Sequence, residues 1–104
     1  MKVYLAGPMS GKEDFNFPAF FEAAKKLRKR GHKVFNPAEE DLKEWKDLET
    51  IKKKANYRTC LKKDLSWICD RADAIALLPG WKKSKGVKVE KALADALGLK
   101  VIKL

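Results

Sequence analysis

Short apolar runs alternate with longer stretches of helical periodicity along the whole chain, and that alternation limits the fold more than any other feature. Lys2 to Ala6 stops at Gly7-Pro8, His32 to Phe35 at Asn36-Pro37, and Ala72 to Leu78 at Pro79-Gly80, with Lys100 to Leu104 as the last run. Apolar runs of this length closed by such breakers read as strands. Strands that alternate with helices are parallel, and the helices cover the sheet. Right-handed crossovers then predict an α/β fold. The expected architecture is one domain over residues 1–104, a flavodoxin-like doubly wound parallel sheet of four strands in the order 2-1-3-4 with helices on both faces. Ligands of such sheets sit beyond the carboxyl ends of the strands, where the first and third part company. The loops there are Gly7-Pro8-Met9-Ser10 and Gly80 to Gly86.

The helical stretches can be placed in the same way. Asn16-Phe17-Pro18 opens the first, with Asn16 as the expected cap; Phe20, Ala23, Ala24 and Leu27 form its buried stripe, and Gly31 ends it. Residues 39–56 are rich in charge, with Leu42, Trp45, Leu48 and Ile51 at threefold spacing. They read as one loosely packed helix or as a mobile lid over a substrate. Tyr57 to Arg71 carries the stripe Tyr57, Leu61, Leu65 and Ile68. The final helix carries Val89, Ala92, Leu93, Ala96 and Leu97 at core spacing and is capped by Gly98.

Two acids stand out. Glu90 is expected in the first turn of the last helix, with no cation three or four positions away. The helix dipole alone accounts for many acids at that place. Asp64 falls inside the apolar stripe of its helix, again without a local cation. Burying an unpaired carboxylate is costly. Asp64 therefore meets either a distant Arg or Lys or a pocket that raises its pKa. Asp73, at the start of a strand, reads as structural, and His32 as a surface residue with no acid near it in sequence. The loop after the first strand contains neither Gly-x-Gly-x-x-Gly nor Gly-Lys-Ser/Thr, which argues against a dinucleotide or P-loop site.

Composition excludes further classes. The chain has 104 residues, 45% hydrophobic and 37% charged, the make-up of a small globular domain. No apolar run approaches the roughly 20 residues of a membrane span. The start runs straight into a strand pattern with no signal peptide, so a cytoplasmic location is expected. Cys60 and Cys69 fall nine positions apart on one helix, roughly 13 Å along its axis, too far for a disulfide. With one His in the chain, no zinc site is expected. The net charge of +10 suits an anionic partner, although lysines spread over several segments are most often a solvated surface.

Several segments carry a family resemblance: Val3-Tyr-Leu-Ala-Gly-Pro8, Phe17-Pro-Ala-Phe20, Gly31-His-Lys-Val-Phe-Asn-Pro37, Asp64-Leu-Ser-Trp-Ile68 followed by Ala72-Asp-Ala-Ile75, then Ser84-x-Gly86-x-x-x-Glu90 and Ala94-x-x-x-Gly98. Together they resemble the nucleoside 2-deoxyribosyltransferase superfamily, in particular its small, often phage-encoded members, over nearly the whole chain. The resemblance implies that Glu90 is a nucleophile forming a covalent deoxyribosyl-enzyme. Asp64 would assist departure of the base, and Tyr4 would orient Glu90. Gly7, Pro8, Met9 and Ser10 would lie along the substrate, and Ser84 and Gly86 would hold the 5′ end of the sugar. No cofactor is implied.

Ser84 departs from the transferases of free nucleosides, which carry an acid there. A neutral Ser beside Lys82, Lys83, Lys85 and Lys88 favours a 5′-phosphate, similar to the 2′-deoxynucleoside 5′-monophosphate N-hydrolases of the same superfamily. Larger relatives continue past the last strand and lend residues to a neighbouring subunit; this chain, stopping at Leu104, is expected not to do so in the same way. A homodimer or higher homo-oligomer is implied. Two other readings compete with the enzyme. One is a catalytically silent nucleotide-binding module, against which the two unpaired acids argue. The other is a basic nucleic-acid-binding protein, which rests on the net charge alone.

Overall fold

The computed structural model describes residues 1–47, 49–51 and 57–104. Four parallel strands form one sheet in the order β2-β1-β3-β4. They are β1 (Lys2–Ala6), β2 (Lys33–Phe35), β3 (Ala74–Leu77) and β4 (Lys100–Lys103). The helices are α1 (Phe17–Lys29), α2 (Pro37–Trp45), α3 (Tyr57–Arg71) and α4 (Lys85–Leu97). This is the flavodoxin-like order expected from the crossovers. Among the described residues no helix is long and apolar enough to cross a membrane.

Alternation along the strands splits the core in two. Val3, Leu5, Ala74 and Ala76 face α1, where Phe17, Phe20, Ala23, Ala24 and Leu27 form the stripe read from the sequence. Tyr4, Ala6, Ile75 and Leu77 face the other way, against Ile68 of α3 and Val87 and Ala94 of α4. Side chains bury on both faces, so β1 and β3 are apolar almost without interruption. Asp73 joins strand starts as expected: its Oδ2 accepts from the Lys2 N–H at 2.9 Å. Cys60 and Cys69 are free thiols.

Four local expectations need correction. Asn16 does not cap α1. It lies in the left-handed region at φ 62°, and its Nδ2 donates to the Pro8 carbonyl at 3.0 Å. Asp14 and Phe15 share that conformation at φ 49° and 54°, a run costing roughly 1–2 kcal/mol per residue. Residues 39–56 are not one helix. α2 begins at Pro37, with Asn36 Oδ1 accepting from the Ala38 N–H at 3.0 Å, and ends where Lys46 turns to φ 71°. Leu42, Trp45 and Ile51 pack on the core as their spacing suggests, while Leu48 and residues 52–56 lie outside the described residues.

The third correction concerns α3, whose stripe changes environment along its length. Ile68 is buried on the sheet, but Tyr57 is 62% exposed. The amino-terminal half overhangs a cavity instead of the core. The fourth concerns α4. Its buried positions are Val87, Glu90 and Ala94, whereas Val89 and Leu97 are 44% and 47% exposed. Alanine and leucine occur on both sides of this helix, so apolar spacing alone cannot fix which side meets the sheet.

Candidate active site

Tyr4 comes from the middle of β1, and its ring stacks on Phe35 at 5.5 Å between centroids, with Trp67 tilted at 6.4 Å. That packing fixes the phenol, which is 1% exposed. Its O–H donates to Glu90 Oε2 at 2.6 Å, a short hydrogen bond. Glu90 lies in the second turn of α4 and not in the first as the sequence suggests, because Ser84 is the cap and Lys85 the first helical residue. The helix dipole acts over the first turn, so it does not account for this acid. Asp64 reaches the same place from α3. The open choice for Asp64 resolves toward a cavity: among the described residues no cation stands within ion-pair distance of it or of Glu90.

Burial dominates the electrostatics. It pushes Glu90 up to about 8, with the Tyr4 hydrogen bond pulling the other way and Asp64 adding to the rise. Asp64 is pushed up to about 7, chiefly by burial; the Tyr4 hydroxyl and Lys63 oppose the shift, and Asp41 and Glu40 reinforce it. The Tyr4 phenol is raised well above its ordinary value by burial and by both carboxylates, so it stays a proton donor. Two acids held near neutrality with one fixed donor between them can share the tasks of nucleophile and acid.

These groups line one cavity of about 1050 Å³ at the carboxyl ends of β1 and β3. Every residue singled out from the sequence as a site candidate lines it: Tyr4, Asp64 and Glu90; the loop Gly7, Pro8, Met9 and Ser10; and Ser84 and Gly86. Among the described residues no three His, Cys, Asp or Glu side chains are grouped to hold a metal ion.

Two glycines lie in close approach to a neighbour, and at Gly7 the contact leaves no room for a side chain. A Cβ on Gly7 would stand 2.8 Å from the Leu78 Cβ, and one on Gly86 would stand 3.2 Å from the Tyr57 hydroxyl. Ser84 has a structural duty as well, since its Oγ accepts from the Val87 N–H at 3.3 Å. Its own O–H stays available to donate.

A family model described as a domain of unknown function, DUF4406, matches residues 1–103. The chain belongs to the DUF4406 family. No curated protein matches it.

In this DUF4406 chain the cavity also draws on residues that sequence reasoning misses or sorts wrongly. Of the four lysines around Ser84, Lys83 and Lys85 line the cavity; Lys82 instead lies over the Trp81 ring at 5.8 Å. Lys12, from the loop after β1, joins them. Asp41 of α2 is a third acid on the wall, and burial pushes it up to about 6. It stands in a charge-rich segment where one acid looks like its neighbours, so no signal marks it. Tyr57, whose spacing suggests core, borders the cavity beside Gly86.

Proposed function

We propose that the protein cleaves or transfers the N-glycosidic bond of a 2′-deoxynucleoside 5′-monophosphate, or of the corresponding nucleoside, in the cytoplasm. The observation that carries this reading is the buried Glu90 held by Tyr4 at the floor of a cavity that Asp64 also enters. The resemblance to the nucleoside 2-deoxyribosyltransferase superfamily, which runs over nearly the whole chain, implies roles for the same three residues.

Glycosidic chemistry asks for two carboxyl groups in different protonation states. Glu90 attacks C1′ of the sugar as a carboxylate, with Oε2 held by Tyr4. The C1′–O bond forms as the C1′–N bond breaks, and the electron pair leaves with the base. Asp64 supplies the proton that neutralises the departing base. Water, or a second base, then attacks C1′ as the bond from C1′ to Glu90 breaks; Glu90 leaves as a carboxylate, and Asp64 takes back the proton that the attacking group loses. Hydrolysis yields 2-deoxyribose 5-phosphate, and exchange yields a new nucleotide. The positive charge that builds on the sugar ring favours ionised Glu90 at the moment of reaction, against the burial that keeps it protonated in the empty site.

The lining around Ser84 suits a phosphate on the 5′ oxygen. The Ser84 O–H, the backbone N–H groups at the start of α4, and the ammonium groups of Lys83 and Lys85 are donors of the right kind. Val89 and Leu97, exposed on α4, give a homodimer an apolar surface to cover.

The test is base release from 2′-deoxynucleoside 5′-monophosphates and the matching nucleosides, with and without an added free base. Release by the wild type that drops at least ~10³-fold in Glu90→Ala is the expected result. The Glu90 peptide should gain the mass of a deoxyribosyl phosphate when the reaction is quenched early. Absence of release from every substrate by the folded protein would sink the reading.

A further inference from the structure

The charges in the cavity are sorted by strand. Lys83 and Lys85 follow β3, Lys12 follows β1, and Asp41 follows β2 on α2. In the sheet order β2 and β3 lie on opposite sides of β1, so the pair Lys83 and Lys85 and the acid Asp41 flank the β1 end from its two sides. Two strand spacings separate those sides, roughly 10 Å. Tyr4, Glu90 and Asp64 occupy the middle. A ligand with a phosphate at the lysine side and its sugar carbon at Glu90 must extend its remaining part toward α2.

Asp41 is equipped to meet that part. It is half-buried on the cavity wall and makes no hydrogen bond or ion pair among the described residues. Lys63, the cation whose charge it feels, stands 3.7 Å from both Glu40 and Glu44. The helix under Asp41 is fixed: Asn36 caps it, and Glu39 takes two hydrogen bonds from Arg28, at 2.6 and 2.7 Å. Phe17, Ile51 and Leu61 give the same cavity apolar walls suited to a flat ring. A half-buried acceptor without a donor, on a rigid helix, calls for a donor from the ligand.

Resting on the glycosidic reading, we infer that Asp41 reads the base: its carboxylate accepts from an exocyclic amino group, so the site takes cytosine and adenine deoxynucleotides and rejects their uracil and hypoxanthine counterparts. An acidic side chain accepting from the cytosine amino group is an established pairing chemistry. The rejected bases gain a proton on the adjacent ring nitrogen and carry a carbonyl oxygen where the amino group stood. That oxygen would put an acceptor against an acceptor, and sites built around one hydrogen bond discriminate strongly when it cannot form.

The experiment compares two matched pairs, 2′-deoxycytidine with 2′-deoxyuridine 5′-monophosphate, and 2′-deoxyadenosine with 2′-deoxyinosine 5′-monophosphate. In the wild type kcat/KM should favour the amino member of each pair at least ~10-fold. Asp41→Asn, which offers N–H groups as well as an oxygen, should bring both ratios to about one or below, mainly through KM. Asp41→Ser serves as a second variant should the amide disturb α2. If Asp41 acted only by setting the ionisation of Asp64, its replacement would move the pH profile for all four substrates alike and leave the ratios intact. Unchanged ratios, or wild-type ratios near one, overturn the inference. If none of the four loses its base, the glycosidic reading fails by itself. Calorimetric binding of the same four nucleotides then decides the inference: tighter binding of the amino members that disappears in Asp41→Asn supports it, and equal affinities overturn it.

Discussion

Helices α1 and α4 are the same length, 13 residues, and each packs on one face of the same sheet, yet they do opposite things with burial. α1 buries Phe17, Phe20, Ala23, Ala24 and Leu27, all apolar, against Val3 and Leu5. α4 buries two small aliphatic side chains and a carboxyl group, which is 6% exposed. The α1 face is an apolar seal, even where Phe17 and Phe20 reach the cavity wall, and gains stability from its contacts. The α4 face gives some of that up to hold Glu90 and Tyr4 where the strands end. The difference marks where this fold gives up stability at the candidate site, and it can be tested as stability.

The largest effect belongs to the seal. Phe20→Ala removes a ring that is 1% exposed, with cavity formation added to lost burial. The expected loss is about 3–5 kcal/mol in urea unfolding, with little dependence on pH because no titratable group is in that cluster. A loss below about 1 kcal/mol would mean that α1 repacks freely and that the two faces are not so different.

The α4 face should respond to pH instead. Glu90, pushed up to about 8 from an ordinary 4.5, keeps its proton in the folded state over a window where the unfolded chain has lost it. Its contribution is therefore complete below pH 4.5 and is lost as pH rises through 8. Asp64 and Asp41, raised to about 7 and about 6, act in the same direction. Glu39, lowered by Arg28, has the opposite sign, but its window lies below its ordinary 4.5. Tm of the ligand-free protein should thus fall between about pH 5 and about pH 9. Glu90→Gln should match the wild type near pH 5 and exceed it by on the order of a few kcal/mol at about pH 9, while losing activity. Such gains from removing a site group are the expected trade of stability against function. Identical pH profiles for the two proteins would show that the carboxyl is not desolvated.

The same contrast explains which parts of the fold and site are legible in the amino-acid sequence. Strand order and the α1 stripe are legible because breakers and large apolar residues leave one solution. The candidate site is legible through motif resemblance and through two acids lacking local cations. The phase of α4 is not, because Val89, Ala92, Ala96 and Leu97 imitate a core stripe while the true one contains Glu90. The stripe of α3 misleads for a related reason: periodicity reports a shared side of the helix, and Tyr57, Leu61 and Asp64 share a side that faces a cavity. Asp41 and Lys12 are illegible because their placement depends on which loops the sheet order brings together.

The smallest effect distinguishes the helix starts. Ser84 caps α4 through its hydroxyl oxygen, and Ser84→Ala leaves the Val87 N–H without that partner. The expected cost is about 1 kcal/mol in thermal unfolding. If the O–H of Ser84 also serves a 5′-phosphate, KM for nucleotides rises in this variant and KM for nucleosides does not. At α1 the corresponding residue is no cap: Asn16 sits at φ 62° and is tied to Pro8. Asn16→Gly loses that hydrogen bond but relieves the left-handed backbone, two terms of similar size and opposite sign. Its net change in stability should be close to zero. A loss at Asn16→Gly as large as at Ser84→Ala would mean that the Pro8 tether, and with it the loop along the cavity, matters more to folding than the cap of the helix that carries Glu90.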